Sequence, residues 1–333
     1  MIISHSDKIL EANPANLDHC AELLQAGEVV GMPTETVYGL AGNALNENSI
    51  RKIFDVKGRP LIDPLIVHFR TLQDAEVHIE SNACVRRLAQ AFWPGPLTLV
   101  VPKKNSIPYP VTAGLPSVAI RVPQHPVFRD MLGRIDFPLA APSANPFGYV
   151  SPTLADHVAH TLGHRIQVVL DGGPCELGLE STIIDLREPL APVILRHGPI
   201  AAAQINQQIQ HKLTSYRSTT NDGTAQCAPG LLTRHYSPNA RVTLFEHGDM
   251  HSNHAMLTAT TAIIYNQKPG WHAGQSNIFW LSEAGDLNQI AHNLFKLIQQ
   301  LDQQGYRHVQ IEQVSAVGIG QAINDPLRRA AET

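Results

Sequence analysis

Charged residues are scarce in this chain. Asp, Glu, Lys and Arg make up only 16% of its 333 residues, and the formal net charge is −4. Holding nucleic acid by bulk charge requires a basic face, so this balance argues against that class, while a local basic cleft stays compatible with it. No apolar run approaches the roughly 18 residues that cross a bilayer, so no membrane span is expected. The N-terminal stretch MIISHSDKILEANPANLDHC has no basic segment leading into an apolar one, so no secretory signal is expected either. Cysteine is rare: Cys20, Cys84, Cys175 and Cys227 lie far apart and never as CxxC. That usage suits ordinary thiols in a reduced, cytoplasmic setting rather than a disulfide framework or a zinc ribbon. Catalytic signatures are missing too. There is no GxxxxGK[ST] loop, GxSxG elbow or HExxH helix, and Gly318-Ile319-Gly320 lacks the third glycine of a dinucleotide fingerprint.

What is present is enough apolar material for a core, 43% of residues, over a length that suggests two domains at about 100–200 residues each. Residues 16–26 place Leu17, Cys20, Leu23 and Leu24 on one helical face before Gly27, and Glu28–Met32 reads as a short buried strand running into Pro33. Further helices are expected at 47–54, 83–92, 126–132 and 153–162. They alternate with β-branched runs at Leu65–Phe69, Leu97–Val101, Val118–Val122, Val168–Leu170, Thr182–Leu186 and Val193–Leu195. Some connections are too short for parallel crossovers, which predicts an α/β fold with a mixed sheet. After about Ala203 the sequence turns polar, and the later part of QINQQIQHKLTSYRSTTNDGTAQCAPG reads as a linker. A second α/β pattern starts at Arg241, with strands expected at 241–246, 261–266, 277–281 and 308–313 and a last helix at 319–330. A helix over 287–302 puts Leu287, Ile290, Leu294, Leu297 and Leu301 on one core-facing stripe, with Asp286 as N-cap and Gly305 beyond its end.

Several segments carry chemistry. Pro33-Thr34-Glu35-Thr36-Val37-Tyr38-Gly39-Leu40 sets hydroxyls and a carboxylate directly after a buried strand, where open α/β sheets bind ligands; the alternative is a capped helix start. Lys57-Gly58-Arg59-Pro60, followed by Asp63-Pro64, puts two cations on a constrained loop that suits a polyphosphate or carboxylate, or forms a solvated turn. Arg121 sits inside the apolar run Val118–Pro123, and a buried arginine there needs an anion, either an internal carboxylate or a bound one. Ala141-Pro142-Ser143-Ala144-Asn145-Pro146 offers Ser and Asn to phosphate or ribose oxygens, or makes a turn. Ser181-Thr182 opens another strand after Glu180, and Arg196-His197-Gly198 closes the next. His247, His251 and His254 stand close together in EHGDMHSNH, but without cysteines or a helical frame they predict no metal site.

Together the motifs PTETVYGLAG, KGRPLIDPLIVHF, WPGPLTLVV, SVAIRVP, APSANPFG, GLESTIIDL and ILRHGPI, in this order, resemble the YrdC-like domain of L-threonylcarbamoyladenylate synthases. APGLLTRHYSPNA and GIGQAINDPLRRAA are similar to the linker and C-terminal end of the long, two-domain form. Each motif alone is modest, and their joint order and spacing over nearly the whole chain are specific. The resemblance implies a twisted, mixed YrdC-like sheet with helices over 1–210, a linker over 211–239 that closes on the active site as a lid, and a smaller Rossmann-like α/β domain over 240–333. It implies that L-threonine, bicarbonate and ATP are joined to L-threonylcarbamoyladenylate with release of pyrophosphate, magnesium entering with the ATP and no metal held tightly by the protein. The product serves the adenosine 3′ of the anticodon in tRNAs that read ANN codons. Lys57, Arg59, Ser143 and Asn145 are the implied catalytic residues at the nucleotide phosphates, and Asp63, Ser117, Ser151, Arg196, His235 and Tyr236 are further ATP-side residues. Thr36, His68, Arg121, Ala141 and Ser181 are implied on the L-threonine side. A downstream threonylcarbamoyl transferase is an implied docking partner, and contact with tRNA is weak or indirect. Two other readings compete: an RNA-binding or ribosome-maturation module without catalysis, and a carbamoyl transferase of the hydrogenase-maturation type, which the lack of CxxC pairs disfavours.

Overall fold

Among the described residues, eleven strands from the first two thirds of the chain join in one mixed sheet, and four more form a separate sheet. The computed structural model describes residues 5–209, 211–216, 224–230, 236–246, 258–271 and 276–331. In spatial order the large sheet runs β1 (Ile9–Glu11), β8 (Val169–Asp171), β2 (Val30–Met32), β3 (Gly39–Asn43), β7 (Leu139–Ala140), β4 (Ile66–His68), β6 (Ser117–Arg121), β5 (Leu97–Pro102), β9 (Thr182–Asp185), β10 (Val193–Arg196) and β11 (Thr214–Ser215). Parallel pairs such as β4–β6 and β5–β9 alternate with antiparallel ones such as β2–β3 and β5–β6, so the sheet is mixed, as the short connections predict. Its helices are α1 (Pro14–Gln25), α2 (Glu47–Lys57), α3 (Leu72–Glu76), α4 (Ala83–Phe92), α5 (Pro126–Arg134), α6 (Ala155–Leu162) and α7 (Ala202–Asn206).

The sheet differs from the sequence expectation at its centre. Pro33–Leu40 is not a helix start. The Thr34 hydroxyl accepts from the Thr36 and Val37 amides, both at 3.1 Å, which makes a side-chain-closed turn, and β3 follows. Gly-Leu-Ala-Gly-Asn has little intrinsic strand preference; burial between β2 and β7 makes it one. Helix α2 runs on to Lys57, past the expected end at 54, because Gly58 supplies a left-handed cap (φ 62°) and the Arg59 amide closes back on Phe54 O at 3.0 Å. The expected linker contains β11, which pairs parallel with β10.

The second sheet runs β12 (Arg241–Phe245), β15 (His308–Glu312), β13 (Thr261–Gln267), β14 (Ile278–Ser282), with every pair parallel. Helices α8 (Leu287–Gln303) and α9 (Ile319–Ala331) accompany it. Asp286 caps α8 by accepting from the Gln289 amide at 2.8 Å. Ile290, Leu294 and Leu301 are buried as expected, but Leu287 and Leu297 are only partly covered, and Phe295, Ile298 and Gln299 complete the buried face. The face is displaced because α8 serves two neighbours. One apolar cluster joins Ile290, Leu294 and Ile298 to Val37, Val150 and Leu179 of the first domain. At Gly178 (φ 68°) the two backbones approach so closely that a β-carbon would lie 2.7 Å from Ala291 O. All four cysteines are free thiols. Among the described residues no helix is long and apolar enough to cross a membrane.

Candidate active site

Strand alternation builds the floor of the main cavity. In β4, Val67 points into the core while Ile66 and His68 line the cavity; in β6, Ile120 points into the same core and Arg121 into the cavity. The parallel register pairs His68 with Arg121, so the last residues of two neighbouring strands stand side by side. The turn after β2 adds Thr34 and Thr36, the segment after β7 adds Ala141, Pro142 and Ser143, and the flanks of β9 and β10 add Glu180, Ser181 and Arg196. Arg59, Pro229 and Gly230 complete the wall.

Electrostatically the cavity has two ends. At one, Arg121 is 3% exposed and held by Gly95 O (Nε, 3.2 Å), the Thr36 hydroxyl (Nη1, 3.0 Å) and the Glu35 carboxylate (Nη2 to Oε1, 2.7 Å). The Glu35 contact is a charge pair without good hydrogen-bond alignment, so the buried Nη2 keeps donor capacity. Burial by itself would raise the Glu35 carboxyl; the Arg121 charge and main-chain N–H donors hold it below the usual value. The His68 ring lies against Phe128 at 5.1 Å between centroids, and burial, aided by the Arg121 charge, pushes it down to about 3, so the imidazole is neutral.

At the other end, Arg59 donates to Asp63 O (2.9 Å) and Pro64 O (2.7 Å) and pairs with the Asp63 carboxylate at 2.9 Å. Arg196 donates to Ser181 O and Ser181 Oγ, both at 2.9 Å, and to Glu180 Oε2. Glu180 is a junction: its carboxylate also accepts from the Ser151 hydroxyl at 2.9 Å and the Tyr236 hydroxyl at 2.7 Å. The Ser181 hydroxyl also meets Thr98 Oγ1 at 2.7 Å.

Of the residues singled out in the sequence, Thr36, Arg59, His68, Arg121, Ala141, Ser143, Ser181 and Arg196 line this one cavity. Lys57 stands behind it, donating to the main-chain carbonyls of Ser143 and Asn145. Burial, and then the Arg59 charge, lower its pKa well below the ordinary lysine value. Asn145 sits in the same layer, its amide nitrogen on Pro146 O (3.1 Å) and Tyr149 O (2.8 Å) while its buried Oδ1 has no hydrogen bond among the described residues. Asp63, Ser151 and Tyr236 act on the wall through Arg59 and Glu180. Ser117 is buried at the start of β6, away from the lining. His235 and the His247, His251 and His254 cluster lie outside the described residues. Sequence reasoning offers Glu35 only as a carboxylate for a ligand, not as an arginine's partner, and gives no role to Glu180 or Gly230. The first two were findable, since arginines inside apolar runs require carboxylates and both acids lie in the quoted motifs. Of the two anions left open for Arg121, the internal one is present as Glu35, and the guanidinium still faces the cavity.

Comparison with known proteins identifies the family. A family model described as telomere recombination matches residues 22–198, and one described as the threonylcarbamoyl-AMP synthase C-terminal domain matches 200–332. A threonylcarbamoyl-AMP synthase from Pyrococcus abyssi is 38% identical over 93% of this chain and 92% of its own length. One from Bacillus subtilis is 34% identical over 97% of this chain and 94% of its own. The crystal structure of Pyrococcus abyssi Sua5 complexed with L-threonine superposes with a TM-score of 0.88 at 34% identity, covering 97% of both chains. The chain therefore belongs to the threonylcarbamoyl-AMP synthase family, in the form that carries the additional C-terminal domain.

Proposed function

We propose that this chain joins L-threonine, bicarbonate and ATP into L-threonylcarbamoyl-AMP and releases pyrophosphate, the first step in building the threonylcarbamoyl group of tRNA. The observation that carries the reading is one cavity with an arginine fork beside a hydroxyl at one end (Arg121, Thr36), clustered cations at the other (Arg59, Arg196), and the Ser181 hydroxyl bound to Arg196. The chemistry requires both. The threonine amine attacks the carbon of bicarbonate, an amine proton and hydroxide leave together as one water, and a carbamate forms. A carbamate oxygen then attacks the α-phosphorus and pyrophosphate departs. Each step brings anions together, so fixed cations and donors in a water-poor site lower the barrier, and no covalent nucleophile is needed.

In this reading Arg121 holds the threonine carboxylate through its free donor capacity, with Thr36, Ser181 and the Ala141 backbone beside it. The neutral His68 stands beside Arg121 at this end. Arg59 and Arg196, with Lys57 and Asn145 shaping the Ser143 loop, serve the phosphates, and Asp63, Ser117, Ser151 and Tyr236 complete the nucleotide side. Magnesium enters with ATP. The carboxylates at this end, Asp63 and Glu180, are each engaged by an arginine, so the wall suits phosphate oxygens better than a divalent cation. The segment 211–239 acts as a lid, with His235 and Tyr236 on the nucleotide. Supporting this, Gln226 N donates to Ile62 O at 2.9 Å, Arg329 donates to Gly230 O, and Tyr236 reaches Glu180. A labile mixed anhydride sheltered in this way suits direct transfer to a downstream enzyme.

The test is pyrophosphate release by the purified chain. Release should require ATP, L-threonine, bicarbonate and magnesium together, and Lys57→Ala and Arg59→Ala should each lower turnover by about a hundredfold. ATP or tRNA binding without any release would replace catalysis with a binding module.

A further inference from the structure

Everything given a role above except the lid belongs to the first domain, yet α8 reaches the nucleotide side from behind. Gln299 on α8 is 1% exposed, and its Nε2 donates to Val150 O at 3.2 Å and Ser151 O at 2.9 Å. Both partners are carbonyls, so the amide nitrogen has to face them. One turn further on, Asp302 accepts from the Tyr149 hydroxyl at 2.6 Å. Three consecutive residues, 149–151, are thus gripped by one helix of the other domain. The same three carry the nucleotide-side groups. Tyr149 O receives the Asn145 amide at 2.8 Å, and the Ser151 hydroxyl holds Glu180 at 2.9 Å, which in turn engages Arg196. The neighbours of Gln299 on this face, Phe295 and Ile298, are apolar, so an apolar residue of equal length would fill the space; a buried amide there is costly unless its hydrogen bonds are needed.

We infer that Gln299 is a positioning residue for the reaction: from the C-terminal domain it sets the height of residues 149–151, and so the placement of Ser151 and Asn145 toward the nucleotide. This rests on the reading that those two residues lie on the ATP side. Lys57 performs the matching task from within the first domain, holding the carbonyls of Ser143 and Asn145. The loop that shapes the nucleotide wall is therefore pinned at both ends by buried side-chain nitrogens.

The experiment uses the full chain with Gln299→Met, which keeps the shape and removes the donors, and Gln299→Asn, which withdraws them by one methylene. In steady-state pyrophosphate release, both variants should raise the KM for ATP by about five- to tenfold. The KM for threonine should stay unchanged. Gln299→Lys, which restores a donor to the two carbonyls, should bring the ATP KM back toward that of the parent. A purely structural role would lower the active fraction or the melting temperature without moving one KM selectively. An unchanged ATP KM, or equal rises for ATP and threonine, overturns the inference. Ser151→Ala separates the two layers of the argument. If it leaves the ATP KM unchanged, the nucleotide-side placement of Ser151 is wrong and the inference falls with it. If it raises the ATP KM while the Gln299 variants do not, the placement stands and only the inference is overturned.

Discussion

At the scale of single residues, three buried arginines organise the cavity, and each meets a carboxylate: Arg121 with Glu35, Arg59 with Asp63, Arg196 with Glu180. Removing one partner from such a pair leaves an uncompensated buried charge, a loss of about 3–5 kcal/mol. His68, between the Arg121 fork and Phe128, makes a separate prediction about pH. A free imidazole titrates near 6.5 and this one near 3, so between those values the unfolded chain binds a proton that the folded chain refuses. Its contribution to stability is therefore complete above about pH 6.5 and falls as the pH drops toward 3. His157, pushed down to about 4 by burial, acts in the same sense, and Glu35 adds its own loss as the pH falls through its lowered value. Acidification from about pH 7 to 5 should lower the melting temperature, and His68→Gln should flatten that slope by about one proton. An unchanged slope in His68→Gln would show that the buried neutral ring is not its source. These pairings were half legible. A lone arginine among Val118-Ala119-Ile120 announces a buried charge, but which acid answers it depends on a turn some 85 residues away.

At the scale of elements, legibility followed local pattern. Helix α4 and the strands β5, β9 and β12 through β15 carry strong periodicity or β-branched runs, and the structure places them within a residue or two of expectation. Strand β3 is illegible in the sequence because its glycines carry no strand signal, and β7 and β11 because two residues make no pattern. The end of α2 was set too early because the apolar pattern stops at Phe54, while the left-handed Gly58 carries the helix to Lys57 and so aims both cations of the loop. Aliphatic spacing alone defines the α8 stripe and carries no signal for the polar Gln299 within its buried face. The junction between α8 and the 176–179 loop gives a prediction at this scale. Gly178→Ala adds a β-carbon 2.7 Å from Ala291 O and the His292 backbone, at a φ of 68° that disfavours any other residue. Backbone cannot yield as a side-chain tip can, so the variant should melt about 2 kcal/mol less stable or more. It should also take up deuterium faster at α8 residues facing the first domain. A stability equal to the parent would mean that the two backbones are not in close apposition.

At the scale of the whole molecule, the two sheets share one functional surface. The apolar cluster that includes Val37, Val150 and Leu179 is completed by α8, Tyr236 stacks on Phe295 at 5.7 Å, and Asp302 receives Tyr149, Asn239 and the Ala240 amide. The Arg196 end of the cavity is thus buttressed by the C-terminal domain, while Arg121's own partners, Gly95, Thr36 and Glu35, all come from the first domain. None of this convergence is periodic in the sequence, so only the ordered motifs hinted at it. In the proposed reaction one cavity holds an amino-acid carboxylate at one end and nucleotide phosphates at the other. The most direct measurement is pyrophosphate release titrated separately with L-threonine and with ATP, for Arg121→Lys and Arg59→Lys beside the parent. A lysine keeps the charge and loses the planar fork. Arg121→Lys should raise the threonine KM by about tenfold or more with little change for ATP, and Arg59→Lys should do the reverse. Equal effects of both variants on both substrates, or effects on the opposite substrate, would contradict the two-ended site.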